Sequence, residues 1–365
     1  MDASRARVIM LADLDYFYAQ VEERKNPSLI GKPVVVCVYS GRTEDSGVVA
    51  TANYAARKYG VKSGIPITLA KKRLLGIEAV FIAMNHDFYK EVSDRVMAIL
   101  RDNADNFEQV GIDEAYLDVS QRTDFSGAEK LAMKIKDDVK KKEGLTISIG
   151  VGTNKVLAKI ASDMKKPDGL TIVRPGESKE FLAPLLVDKL LGVGVKTVER
   201  MESLGIKTIG DLASYDQGKL AEVFGKNLAT YFHCASNGIY EEVVQERGER
   251  ESISRIATLK EDTRDLKAIL EKTDKLCEEV NARVQQSGLT YRSVGIVVVT
   301  KSLGIRMRTK SLSGPTNDVM LMKKVVKELL QKYLEESSIE VRRIGVHVSN
   351  FTKKEKEQSQ LTSFL

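Results

Sequence analysis

The chain opens on an apolar run, Val8-Ile-Met-Leu-Ala, whose pattern continues into Asp13-Leu14-Asp15 and predicts a buried strand ending on carboxylates. A β-branched run at Val34 to Tyr39 predicts a second strand, and Asn53 to Tyr59 a short helix. Phe88, Val92, Val96 and Ile99 recur at helical spacing. Two short strands follow, about Phe107 to Ile112 and Ala115 to Val119, with Asp113-Glu114 at the turn between them. A helix through Ala128, Leu131, Ala132, Ile135 and Val139 leads to a strand at Thr146 to Val151. With Val8 to Leu14 as its first strand this is a β-α-β-β-α-β unit of ferredoxin-like order, interrupted by an insertion after that strand. In this order the first strand lies beside the central hairpin, which brings Asp13 to Asp113 and Glu114 at one end of the sheet.

From about Gly176 to Gly238 short helices are split by glycines, with Gly192-Val-Gly194 as one turn. Gln245 to Ser252 is strongly charged, lacks apolar periodicity and reads as a linker. The strand and helix order then repeats. A strand near Ile256, a helix from Leu266 to Val284, strands at Val294 to Thr300 and Ile305 to Thr309, a helix from Val319 to Leu334 and a strand at Arg343 to Val348 make a second β-α-β-β-α-β unit. A polar tail from Thr352 ends in Gln358-Ser-Gln-Leu361-Thr-Ser-Phe364-Leu365.

Acids at buried strand ends need compensating charge, because an unpaired carboxylate in a low-dielectric site costs several kcal/mol or more. A hard divalent cation such as Mg²⁺ fits, since it accepts carboxylate and carbonyl oxygens together with substrate phosphates. The remaining composition narrows the choice. Three histidines exclude a His-rich metal site, and three scattered cysteines (Cys37, Cys234, Cys277) give neither a metal cluster nor a disulfide framework. A chain of 365 residues divides into two to four domains. Its net charge of +6 suits a polyanionic partner, and from Asn281 to Asn317 there are no acids while Arg283, Arg292, Lys301, Arg306, Arg308 and Lys310 all occur. No signal-peptide pattern precedes the first strand and no apolar run approaches membrane-span length. A reducing, cytoplasmic location is expected, nucleoid-associated in a prokaryote and nuclear in a eukaryote, with no membrane partner.

Four motifs carry a resemblance over nearly the whole chain: Asp13-Leu-Asp-Tyr-Phe-Tyr18-Ala-Gln-Val-Glu-Glu23, Ala50-Thr-Ala-Asn-Tyr54-Ala-Ala-Arg57-Lys-Tyr-Gly60-Val, Ile112-Asp-Glu-Ala-Tyr-Leu-Asp118 and Gly150-Val-Gly-Thr-Asn-Lys155-Val-Leu-Ala-Lys159. In this order and spacing the chain resembles the Y-family, DinB-type translesion DNA polymerases, in particular those similar to archaeal DNA polymerase IV. The resemblance implies an α+β multidomain, right-hand polymerase. Its parts would be a ferredoxin-like palm (1–18 and 78–173), small fingers (19–77), an all-helical thumb with a helix-hairpin-helix (174–240), a linker (241–252), a βαββαβ little finger (253–350) and a tail (351–365).

It also implies two-metal catalysis, in which ions about 3.5–4 Å apart clamp the attacking and leaving oxygens. Asp13 and Asp113 would bridge two Mg²⁺, Glu114 would hold the hydroxyl-side ion and the Leu14 carbonyl the triphosphate-side ion. Asp15 is a weaker candidate, whose side chain fixes the turn. The resemblance supplies Tyr54, Arg57 and Lys166 for the triphosphate; the backbone amides of Phe17 and Tyr18, opening a helix, suit phosphate as well. Tyr18 would exclude a ribose 2′-hydroxyl, and Val48 and Thr51 would lie over the nascent base pair.

Gly192 and Gly194 resemble a phosphate-binding hairpin turn, and Arg292, Arg306, Arg308 and Lys310 would offer a basic sheet face to a duplex. Gln358, Leu361, Phe364 and Leu365 follow the spacing of sliding-clamp ligands of the archaeal and eukaryotic ring type, with Leu365 where a second aromatic is usual. The partners implied are primed template DNA, dNTP and a clamp, for a monomeric enzyme of low fidelity without proofreading. Two other readings are open on the residues alone. A nucleotide cyclase on a similar palm would not need the glycine-hinged helices or basic second sheet, and a non-catalytic DNA-binding scaffold would not need the three carboxylates.

Overall fold

The computed structural model of the chain describes residues 6–246, 248 and 251–353. These form two compact units, one of residues 6–37, 49–65 and 69–246 and the other of 38–48, 66–68, 248 and 251–353. Along the chain run β1 (Ile9–Leu14), α1 (Phe17–Lys25), β2 (Val34–Tyr39), β3 (Gly47–Ala52), α2 (Tyr54–Arg57), α3 (Ile67–Arg73), β4 (Val80–Ala83), α4 (His86–Asp102), β5 (Asn106–Gln109) and β6 (Glu114–Asp118). Then come α5 (Ala128–Glu143), β7 (Ile147–Gly152), α6 (Lys155–Asp163), β8 (Leu170–Ile172), α7 (Ser178–Leu182), α8 (Val195–Ser203), α9 (Ile209–Ser214), α10 (Gln217–Phe224) and α11 (Lys226–Ser236).

The main sheet has the order β5-β6-β1-β7-β8. Its first four strands follow the expected ferredoxin-like order. The three-residue β8, parallel to β7, adds a fifth strand that the sequence pattern did not predict. Central β1 is buried along its whole length, and its two faces feed different cores. Met10, Ala12 and Leu14 pack with buried residues of α4 and α5, including Val92, Val96, Ala132 and Ile135. Ile9 and Leu11 pack with Tyr116, Ala158 and Val244. That double covering is why β1 reads as continuously apolar rather than alternating.

Helix α6 lies flush on β7 because Gly150 and Gly152 carry no side chains. A Cβ on Gly150 would stand 2.1 Å from the Ala158 carbonyl oxygen and 2.2 Å from the Ser162 amide. Through Val156 and Ile160, α6 also joins the core of the helices α7 to α11. The expectation of a linker at 241–252 needs correcting at both ends. Val244 is buried, Glu242 pairs with Lys155 at 2.7 Å, and a strand already begins at Ser252.

The second unit contains β9 (Ser252–Thr263), α12 (Leu266–Gln286), β10 (Leu289–Thr300), β11 (Ile305–Thr316), α13 (Val319–Glu336) and β12 (Val341–Lys353). The expected element order is present, but the sheet order is β11-β10-β12-β9, so the first strand is an edge strand rather than a central one. Val294, Ile296, Val298, Ile344 and Val346 form one core with Ile269, Val280, Met322 and Val326 of the two helices. Among the described residues no helix is long and apolar enough to cross a membrane. The tail motif Gln358, Leu361, Phe364 and Leu365 lies outside the described residues.

Candidate active site

Sheet register fixes the carboxylates. Asp13 is paired with Glu114 across the antiparallel β1–β6 ladder and with Ser148 across β1–β7. Asp113 sits in the tight Val110 to Glu114 turn, which is fastened to the end of β1 because the Asp113 carbonyl accepts from the Leu14 amide at 2.8 Å. The Ser93 hydroxyl holds the Ile112 carbonyl of the same turn. Glu114 is the first residue of β6, not a turn residue as its sequence position suggested.

Two lysines neutralise this cluster. Lys159 Nζ lies 3.1 Å from Asp13 Oδ2 and 2.6 Å from Glu114 Oε2. Lys166 Nζ lies 2.7 Å from Asp13 Oδ2 and 2.8 Å from Asp163 Oδ1. Burial works against the Lys159 ammonium, but Asp13, Asp163 and Glu114 outweigh it and hold its pKa above the ordinary lysine value. The same contest between burial and carboxylates, here Asp13 and Asp163, raises Lys166. Asp113 is different: burial, then Asp13 and Glu114, push its pKa up to about 6, with Lys159 opposing.

Around these groups is a cleft of about 330 Å³ lined by Asp13, Leu14, Tyr16, Phe17, Tyr18, Ala50, Thr51, Tyr54, Arg57, Ser63, Asp113, Glu114, Lys159 and Lys166. Tyr16, in the left-handed region at φ 37°, turns the chain from β1 into α1, and no side chain caps the first turn at Phe17 and Tyr18. The Tyr18 ring stacks on buried Tyr89 with centroids 4.8 Å apart, and the Tyr89 hydroxyl donates to Glu22 at 2.7 Å. Burial, then the charge of Asp113, raises the Tyr18 pKa. Asn53 caps α2 by accepting from the Ala56 amide at 3.0 Å, which sets Tyr54 and Arg57 on one turn. The Arg57 guanidinium lies over the Tyr54 ring at 4.8 Å and its Nε donates to the Ala52 carbonyl.

The cleft therefore gathers Asp13, Leu14, Asp113, Glu114, Phe17, Tyr18, Thr51, Tyr54, Arg57 and Lys166 from the sequence-based set. Val48 does not join them: it is 45% exposed, whereas Thr51, an odd number of positions later on β3, is buried. Tyr16, Ala50, Ser63 and Lys159 are additions. The signal for Lys159 was present, since Lys155 and Lys159 are the only charges in α6 before Asp163 and fall on one face. Lys155 uses that face differently, buried between Glu108 at 2.8 Å and Glu242 at 2.7 Å.

The basic second sheet also needs correcting. Arg306, Arg308 and Lys310 alternate onto one side of β11, but it is the side bearing α13, where Arg308 pairs with Glu336 and Lys310 with Glu328 at 2.7 Å. Arg292 and Arg306 are exposed. Gly192, at φ 82°, and Gly194, the N-cap of α8, form a turn before that helix, preceded only by a single 3-10 turn at Val187–Lys189.

Residues 12–163 match the impB/mucB/samB family, 250–362 its C-terminal domain, and 188–239 the thumb domain of DNA polymerase iota. The chain is 43% identical to a DNA polymerase IV of Methanosarcina acetivorans over 97% of this chain and 98% of that one. It is 44% identical to a DNA polymerase IV of Nitrosopumilus maritimus over 98% and 99%. Among solved structures, a Y-family polymerase chimera of Dbh and Dpo4 aligns at a TM-score of 0.89 and 38% identity, covering 95% of this chain and all of the other. An insertion ternary complex of Dbh DNA polymerase aligns at 0.68 and 37% identity over the same shares. Fold and cleft define a nucleotide polymerase, and the chain belongs to the impB/mucB/samB family of Y-family DNA polymerases. It is a DNA-directed DNA polymerase of the translesion type. In the family's terms the five-stranded sheet is the palm, α7 to α11 the thumb and the second sheet the little finger.

Proposed function

We propose that this polymerase binds primed template DNA and dNTP and extends the primer 3′-end by two-metal catalysis, at low fidelity and without proofreading. The observation that supports this most directly is the meeting of Asp13, Asp113 and Glu114 in one cleft with the cations Arg57, Lys159 and Lys166.

The donor set is chemically suited to Mg²⁺, being all hard oxygen, with no histidine or cysteine in the cleft. Among the described residues no three acidic, His or Cys side chains surround one point at ligand distance. Asp13 and Glu114 are turned onto Lys159, and rotation of either side chain off the ammonium frees its oxygens. Asp13 and Asp113 would hold two ions, with Glu114 on the hydroxyl side and the Leu14 carbonyl on the triphosphate side. When bound, such ions lower the pKa of the primer hydroxyl and neutralise charge on the triphosphate.

The chain's own groups do the rest. Arg57, Lys166 and the Tyr54 hydroxyl bind the triphosphate, aided by the amides of Phe17 and Tyr18 at the start of α1. Tyr18, braced by Tyr89, lies under the sugar and excludes a 2′-hydroxyl. Thr51, in the cleft, covers the nascent base pair, a role that Val48 on the opposite face of β3 does not share. The turn at Gly192 and Gly194 and the exposed Arg292 and Arg306 track the DNA backbone without reading sequence, while Arg308 and Lys310 stay paired to Glu336 and Glu328. The tail docks on a ring clamp, and the enzyme works as a monomer.

Incubation with a primed template carrying a damaged base, dNTPs and Mg²⁺ tests the reading. Extension past the damage with no excision of a mismatched primer terminus is the expected result; loss of the mismatched nucleotide by hydrolysis contradicts it.

A further inference from the structure

Asp15 stands two residues beyond Asp13, yet its carboxylate is turned away from the cleft. It is 1% exposed and accepts three hydrogen bonds: from Ser148 Oγ at 2.7 Å on Oδ1, and from Thr146 Oγ1 at 2.9 Å and the Asp168 amide at 2.8 Å on Oδ2. The last of these ties β1 to the loop that follows α6. The next amide, Gly169, donates to Ser148 Oγ at 3.1 Å, so Ser148 extends the same anchor. Asp168 has φ 55°, a left-handed conformation unusual for a residue with a side chain, held in place by these bonds.

Lys166 sits two residues before Asp168 in this loop, and its ammonium is the one 2.7 Å from Asp13. One strand end thus carries both ends of a short closed circuit: Asp13 touches the Lys166 side chain while Asp15 grips the backbone that bears it. We propose that Asp15 is a positioning residue that fixes the height of the Lys166 ammonium in the cleft and thereby sets affinity for the triphosphate of the incoming dNTP. This rests on the reading that Lys166 binds the triphosphate. Removing the anchor lets the loop lift away from β1, and a charge-assisted contact to phosphate weakens steeply with misplacement.

The test measures dNTP affinity on full-length protein with a primed template whose primer ends in a dideoxynucleotide, so that binding is read without chemistry, alongside kcat and KM on an extendable primer. Lys166→Ala should raise Kd and KM roughly 10-fold, the scale of one charge-assisted contact. Asp15→Ala should raise both by a similar factor with a much smaller change in kcat. Asp15→Asn, which keeps one oxygen for the Asp168 amide, should recover most of the affinity. Ser148→Ala, a milder cut of the same anchor, should weaken dNTP binding less than Asp15→Ala and keeps the test open if that variant does not fold. Combined with Lys166→Ala, Asp15→Ala should add nothing. As a control for general loss of stability, Asn103→Ala, which removes a buried side chain bonded to the Ile99 carbonyl in α4, should leave dNTP affinity unchanged. Normal affinity in folded Asp15→Ala and Ser148→Ala, with weakened binding in Lys166→Ala, overturns the proposal and leaves the triphosphate reading standing. Normal affinity in Lys166→Ala overturns that reading itself.

Discussion

Asp13 and Glu114 face each other as register partners across the β1–β6 ladder, and a single ammonium, that of Lys159, reaches both. Strand pairing therefore places the two acids without help from loop conformation, while the third, Asp113, depends on the turn that precedes β6. The cluster is preorganised by backbone hydrogen bonds, with Lys159 and Lys166 balancing its charge.

Asp113 is the group most burdened by this arrangement. Its pKa is raised to about 6 by burial and by Asp13 and Glu114, above the ordinary carboxylate value expected of the unfolded chain. A raised folded-state pKa means that the native protein binds the extra proton, so this group's contribution to stability is full below about pH 4 and falls as pH rises through about 6. In metal-free buffer Asp113→Asn should be more stable than the parent at pH 7, by an amount on the order of 1–3 kcal/mol, and the gap should close toward pH 4. Urea melts at the two pH values check this; a variant less stable than the parent at pH 7 contradicts it.

Tyr18 has a rigid backing, since Tyr89 is fully buried and hydrogen-bonded to Glu22. Tyr18→Ala should admit ribonucleotides, lowering the preference for dNTP over rNTP by one to two orders of magnitude, roughly the cost of a steric clash of 1–3 kcal/mol. Single-nucleotide insertion kinetics measure it. Unchanged discrimination would return Tyr18 to a packing role.

Deleting the residues after about Lys356 should leave distributive synthesis on short primed templates unchanged and remove stimulation by a ring clamp. A short anchor on a polar leash raises the local concentration of enzyme at the primer end without touching the cleft. Phe364→Ala should reproduce most of the loss, because aromatic anchors dominate such contacts. Calorimetry on the truncated protein gives the contrary result if clamp affinity is native.

The parts legible in the sequence are those set by local pattern. The period of β1, the helical repeats of α4 and α5 and the acids at Asp13 and Asp113 gave the ferredoxin-like sheet and its acidic end. Lys159 was harder to see because its role comes from tertiary approach: only the missing side chains of Gly150 and Gly152 let α6 lie close enough to carry its ammonium to Asp13. The second sheet shows the opposite limit. Its element order was readable, but the edge position of β9 and the turning of Arg308 and Lys310 toward α13 are set by long-range strand pairing, which no local window contains. Val244 was hidden for a similar reason, as one apolar residue in a charged stretch has no period, yet it plugs the face of β1.

The central claim is that Asp13, Asp113 and Glu114 carry the chemistry of nucleotide transfer. The most direct measurement is rapid-quench single-nucleotide insertion with Mg²⁺ for Asp13→Ala, Asp113→Ala and Glu114→Ala, paired with fluorescence anisotropy for primed DNA. The account predicts that each substitution abolishes insertion while DNA affinity stays near that of the parent, because the acids act at the reacting atoms and not along the duplex. Near-native insertion by any of the three would contradict it.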